Sequence, residues 1–177
     1  MSEHHSELFN HAYHLFTVHQ YREAEVELQH VLEDEPDNAW AYALLALCLA
    51  FREDFRPATR AARTGVDKAP DLAFAHYALA SVLDDQDMFN EALISIRQAI
   101  RLDPDDVLFY AQMAVIYLQQ QRWTEAIEAA ERGLQVNDDD EDCRHILEQA
   151  RSMVGQMEHT EAESPSELPR NPQAALA

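Results

Sequence analysis

The chain has 177 residues, 47% of them apolar and only 3 of them glycine, which allows one sizeable core and argues against a sheet protein rich in tight turns. Its formal charge of −20 comes from 33 acidic residues against 13 basic ones, of which Lys68 is the single lysine. Nucleic acid and anionic membrane surfaces would repel such a chain, so its partners should be neutral or basic.

Residues 1–20, MSEHHSELFNHAYHLFTVHQ, show no basic start followed by an apolar run, so no secretory signal or transit peptide is expected and the expected compartment is the cytoplasm. Histidines crowd this stretch: His4, His5, His11, His14 and His19. A metal site needs ligands that converge on one point and a second shell that orients them. The pair His11 and His14 supplies two ligands, and no cysteine or carboxylate set completes a tetrahedron. Capping and surface roles are therefore expected, with no metal and no other cofactor. A metal-responsive protein built on these histidines is the last of the alternatives.

From residue 21 one pattern recurs. YREAEVELQHVLEDEPDN at 21–38 returns as FRPATRAARTGVDKAPDL at 55–72, FNEALISIRQAIRLDPDD at 89–106 and WTEAIEAAERGLQVNDDD at 123–140, each copy starting 34 residues after the last. A fixed period decides the architecture. With residue 5 as position 1, the units are 5–38, 39–72, 73–106 and 107–140.

Position 8 is then Ala12, Ala46, Ala80 and Ala114, and position 20 is Ala24, Ala58, Ala92 and Ala126. Alanine in both columns predicts two helices that cross too closely for a larger side chain. Position 17 holds a ring, Tyr21, Phe55, Phe89 or Trp123, at the start of each second helix. Position 27 is Val31, Gly65, Ala99 and Gly133, small where the next unit approaches. Position 32 is Pro36, Pro70, Pro104 and then Asp138; proline there ends the second helix and sets up the next turn.

In the second unit AWAYALLALCLAF, at 39–51, is apolar all round, yet its 13 residues fall short of the roughly 20 that span a membrane. After 140, EDCRHILEQARSMVGQM reads as a capping helix over 141–157. Residues 158–177, rich in proline and acids and without aromatics, read as a disordered tail. Cys48 and Cys143 both fall where the helical pattern buries them, which suits two free thiols in a reducing compartment. The acids Asp84, Asp85 and Asp87, and those at 138–142, lack the spacing of a calcium loop and are expected to be solvated turns. With no phosphate-cradling loop, nucleophile elbow or zinc-protease motif present, no enzyme is expected.

The columns together resemble the tetratricopeptide repeat family over residues 5–140. The third unit supplies Leu79, Ala80, Leu83, Ala92, Ile96, Ala99 and Pro104, and the fourth Tyr110, Met113, Ala114, Tyr117 and Ala126. Departures are His11 at a leucine position, His76 at position 4 and Asp138 in place of proline. The resemblance implies an all-α, right-handed solenoid of four helix-turn-helix repeats with a capping helix, one repeat domain over 1–157, whose first helices line a concave groove. The groove residues it implies are Phe9, Tyr13 and Phe16; Trp40, Ala43 and Leu47; Phe74, Tyr77, Ser81 and Asp84; and Leu108, Ala111 and Val115.

The expected function is that of a non-catalytic adaptor binding a peptide or helix with apolar anchors and basic flanks, drawn by a rim of Glu53, Asp54, Asp84 and Asp85. The alternative is a self-assembling scaffold whose groove is filled by another subunit. The clamp by which similar proteins hold acidic chaperone tails needs basic and amide residues where this chain has Phe9, Tyr13, Leu44, Phe74 and Ala78, so no ligand of that kind is expected.

Overall fold

A computed structural model describes residues 3–163, all of whose regular structure is helical. The helices pair as the period requires. They are α1 (Glu3–Thr17) with α2 (Tyr21–Asp34), α3 (Ala39–Ala50) with α4 (Phe55–Lys68), α5 (Ala73–Asp84) with α6 (Phe89–Leu102), and α7 (Val107–Gln119) with α8 (Trp123–Val136), followed by α9 (Glu141–Glu163). Helix α9 is longer than the cap expected over 141–157, and residues 164–177 of the expected tail lie outside the described residues.

Both alanine columns, at positions 8 and 20, are fully buried in all four units, so the helices of each pair cross in contact at a methyl group. Every helix packs against its chain neighbours, and the first helices of successive units also touch, α1 on α3, α3 on α5, α5 on α7 and α7 on α9. Among the described residues the backbones of the second helices stay apart, though an ion pair of Arg63 on α4 with Glu91 on α6 at 3.6 Å bridges one such gap. The row of helices in mutual contact lies on the shorter, inner arc, so α1, α3, α5, α7 and α9 line the concave side. At the C-terminal end α9 buries Cys143, Ile146 and Ala150, spaced at 3 and 4 residues, against the cluster that holds Ala114, Ile116, Ala126 and Ala130.

Two backbone devices repeat with the units. In each turn between paired helices position 15 adopts a left-handed conformation, at His19, Glu53, Asp87 and Gln121, with φ of 58–63°. The next residue donates its N–H back to position 11 at 2.9 Å in every unit: Gln20 to Leu15, Asp54 to Leu49, Met88 to Leu83 and Arg122 to Tyr117. This six-to-one bond closes the first helix and sets the return angle. Between units, the side chain at position 4 donates to the carbonyl at position 32 of the unit before. His76 Nε2 reaches Pro70 O at 2.9 Å, Tyr110 Oη reaches Pro104 O at 3.1 Å, and Arg144 Nη2 reaches Asp138 O at 2.5 Å. At His76 and Asp138, two of the three departures in the sequence, the same tie is thus kept, with an imidazole or a guanidinium as donor in place of the tyrosine hydroxyl.

Candidate interaction groove

Asn38 caps α3, its Oδ1 accepting the Ala41 N–H at 3.0 Å, and so sets the first turn from which Trp40 emerges. Trp40 is 50% exposed, the one exposed residue of a helix otherwise almost entirely buried. It stacks on Phe74 of α5, with centroids 5.0 Å apart and planes 20° apart. Phe74 meets Tyr77 one turn later at 5.7 Å, and Tyr77 meets Phe109 of α7 at 5.6 Å. Rings from three successive units therefore form one ladder along the inner row, held in contact by the close crossing of α3, α5 and α7.

A cleft of about 910 Å³ opens beside the Trp40 end, lined by Phe9, Trp40 and Leu72 and by the inter-unit turns that carry Glu35, Asp37 and Asp71. A second cleft of about 580 Å³ lies between α7 and α9, lined by Leu108, Ala111, Val115, Leu118, Trp123 and Ile146, with Gln112, Gln119, Asp142 and His145 as its polar edge. Both floors are apolar and both edges carry acids.

The expected groove residues divide into surface and foundation. Tyr13, Trp40 and Leu108 are exposed, and Phe9, Phe16, Phe74, Tyr77, Ser81 and Val115 are partly so. Ala43 and Leu47 are buried with Ala75 and Ala78 in a small cluster beneath Phe74 and Tyr77, and Ala111 is buried as well. Side chains shorter than the rings sink below their aromatic neighbours and support the floor without offering contact surface. Of the expected rim, Glu53 is exposed at its left-handed position, and Asp54 pairs with Arg52 at 3.2 Å.

Asp84 corrects the expectation of a solvated turn. Its side chain is only 4% exposed, because position 12 of α5 faces inward and α7 lies over it. Oδ2 accepts from Gln112 Nε2 at 2.9 Å and from Gln119 Nε2 at 3.3 Å, while Oδ1 is buried with no hydrogen-bond partner. Loss of water, and then the neighbouring Asp85, push the carboxyl up to about 6. Ser81 Oγ, one turn earlier, is also buried without a bonded partner; the Tyr77 hydroxyl is its polar neighbour but does not close a hydrogen bond of good geometry. Burial raises the Tyr77 phenol too, with Asp106, Asp85 and Asp142 adding their negative charge. Sequence spacing marks Asp84 as inward-facing, but its burial depends on glutamines 28 and 35 residues further on, which no local signal reveals.

Other candidate chemistry is not assembled. Cys48 and Cys143 are buried free thiols, each pushed up to about 12, first by burial and then by Glu25 beside Cys48 and by the Asp140 bond at Cys143. Such thiols are poor nucleophiles. Among the described residues no three His, Cys, Asp or Glu side chains converge on a point that could hold a metal ion. His11 faces Glu27 at 3.4 Å and His19 Nδ1 lies 2.6 Å from Tyr21 Oη, while the side chains of His4 and His5 lie outside the described residues. No described helix is long and apolar enough to cross a membrane.

Residues 85–150 match the family model described as Tetratricopeptide repeat. No curated protein matches the sequence. Among solved structures, a thermophilic TPR protein of Thermus thermophilus superposes with a TM-score of 0.78 at 16% identity, over 89% of this chain and 87% of that one. The MamA protein superposes with a TM-score of 0.67 at 18% identity, over 92% and 88%. The Cut9–Hcn1 hetero-tetramer of APC/C gives a TM-score of 0.73 at 14% identity, over 82% of this chain and 30% of that one. At such identities the likeness bears on fold.

Proposed function

We propose that this chain, a tetratricopeptide-repeat protein, is a non-catalytic adaptor that binds a peptide or helix in its concave groove. Repeat proteins of this kind generally mediate protein–protein interactions, and one of the similar structures is itself a complex between different proteins. The observation that carries the reading is the ladder of Trp40, Phe74 and Tyr77, which leaves half an indole in water on a helix that is otherwise core. An exposed tryptophan set on a rigid ring stack is the kind of anchor that dominates binding energy once a partner desolvates it.

Charge sets the second property of the ligand. A chain at −20, with Asp37, Asp71 and Asp142 beside its two clefts, attracts and steers basic segments and repels acidic ones. The ligand class is thus an amphipathic helix or extended segment with apolar anchors and basic flanks. Two buried thiols are at home in a reducing compartment, in keeping with the cytoplasm.

Affinity capture compares the intact protein with the Trp40→Ala, Phe74→Ala double variant, alongside light scattering over a concentration series. The adaptor reading expects a monomer that loses its captured partner in the double variant. A mass that doubles with concentration, and reverts in the double variant, would instead give the groove to a second copy of the chain.

A further inference from the structure

We propose that the groove receives one buried arginine side chain of its ligand at Asp84, so that recognition includes an internal ion pair in addition to charges at the rim. The proposal rests on the concave face being the interface, and adds to it a specific residue and a specific ligand group.

A carboxylate only 4% exposed has given up nearly all of its water, and here just one of its two oxygens regains hydrogen bonds. Oδ1 has none, and the Ser81 hydroxyl on the same face has only the Tyr77 hydroxyl nearby, without a hydrogen bond of good geometry. Two buried oxygens that accept no well-formed hydrogen bond, one helical turn apart, describe the complement of a group that carries several N–H donors. An unsatisfied buried acceptor is costly to the free protein, so a donor that fills it gains more than it would at the surface.

The route to Asp84 passes through the second cleft. Gln112 and Gln119 both line that cleft and both donate to Oδ2, so Asp84 stands one layer behind its polar edge. Gln119 is exposed and makes the longer bond, 3.3 Å, so a change of its rotamer frees one side of Oδ2 toward the cleft. Surrounding charge favours a cation: Asp85 adjoins Asp84, and Asp85, Asp106 and Asp142 all act on the neighbouring Tyr77 ring. A metal ion fits poorly, because no third carboxylate, His or Cys converges here among the described residues.

Guanidinium suits the site better than ammonium. It is more weakly hydrated, so burying it costs less, and its planar fork can serve Oδ1 and Ser81 together. A primary amine is a strongly hydrated point charge and would leave more of its donors unused in the same space.

The test uses an array of 12-residue peptides with apolar anchors spaced for one helical face, each made in three forms with arginine, lysine or the neutral isostere citrulline at a central position. Binding is read by fluorescence anisotropy on the full chain, its Asp84→Asn variant and the Trp40→Ala, Phe74→Ala double variant. The expected result is a preference for arginine over citrulline of about tenfold or more in the intact protein, shrinking to less than about threefold in Asp84→Asn.

A second readout does not depend on a variant folding. The carboxyl carbon of Asp84, followed by NMR through a pH series, should titrate at least about one unit lower with the arginine peptide bound than in the free protein. Equal affinity for arginine and citrulline in peptides whose binding needs Trp40 and Phe74 overturns the proposal and leaves the groove reading intact. Should no peptide bind, or should binding ignore the double variant, the groove reading falls and takes this inference with it.

Discussion

Gly133 of α8 and Cys143 of α9 meet so closely that a methyl group on Gly133 would stand 2.5 Å from Cys143 Sγ and 3.2 Å from Tyr110 Cβ. The last repeat and its cap therefore interlock at a position where only hydrogen fits. Gly133→Ala would gain about 1 kcal/mol in a free helix, but overpacking costs about 1 to 3 kcal/mol, and here the clash involves a sulfur anchored on a neighbouring helix. Urea denaturation should show Gly133→Ala less stable than the parent, and Gly133→Ala with Cys143→Ala at least as stable as Cys143→Ala alone. A higher midpoint for Gly133→Ala by itself would mean that α9 packs more loosely than described.

The left-handed residues at position 15 provide an opposite case, in which adding a glycine should help. Glu53 and Gln121 carry a Cβ at φ of 63° and 58°, a conformation that costs a side-chain-bearing residue roughly 1 to 2 kcal/mol, less for Asp or Asn. Glu53→Gly and Gln121→Gly should each raise stability by up to about 1 kcal/mol, the rest being offset by the greater freedom of glycine when unfolded. Thermal unfolding of the two single variants, and of Asp87→Gly with its smaller expected gain, checks the assignment. A drop in melting temperature for all three would show that the turn is not strained.

Asp84 should give the molecule a distinctive pH response. Its folded value near 6 lies above the ordinary 3.8, so the folded state holds this proton more tightly than the unfolded state does. The stabilising contribution is full below about pH 4 and is lost as pH rises through 6, amounting to about 3 kcal/mol at most. Asp85 and Asp87 act on it from its own turn, while α7 presents only the uncharged Gln112 and Gln119. The stability of Asp84→Asn minus that of the parent should therefore grow between pH 4 and pH 7. A difference that stays flat across that range would place the carboxylate in water.

Tyr110 tests the tie between units. Its hydroxyl donates to Pro104 O at 3.1 Å at a partly exposed site, so Tyr110→Phe should cost about 0.5 to 1 kcal/mol, whereas Arg144→Ala should chiefly loosen the start of α9. Hydrogen exchange at Ile146 and Leu147 reads the second effect directly. Unchanged protection there would assign the end of α8 and the start of α9 to packing alone.

Much of this molecule is legible in its sequence, because a repeat puts each structural requirement on show four times. The alanines at positions 8 and 20 identify the crossing, and all eight are fully buried. Trp40, Phe74 and Tyr77 fall in the groove columns, and the structure brings them into contact. Less visible are features that depend on what a neighbouring unit does. Ala43 and Leu47 fall in groove columns as Trp40 does, but lie beneath the rings of α5. Asp84 looks like one more acid in a polar turn until α7 covers it. The left-handed turns are hidden for a different reason: His, Glu, Asp and Gln stand where glycine would have signalled the conformation.

If Trp40 and Phe74 anchor a ligand in the concave groove, removing both rings must weaken its binding. Equilibrium titration of the captured segment against the intact protein and the Trp40→Ala, Phe74→Ala variant, with circular dichroism to show both are equally helical, tests it most directly. The expected result is a loss of affinity of about a hundredfold or more in the variant, with salt slowing association in both proteins more than it speeds dissociation. Equal affinity in the two proteins would contradict it and place the interface on the outer helices or the turns.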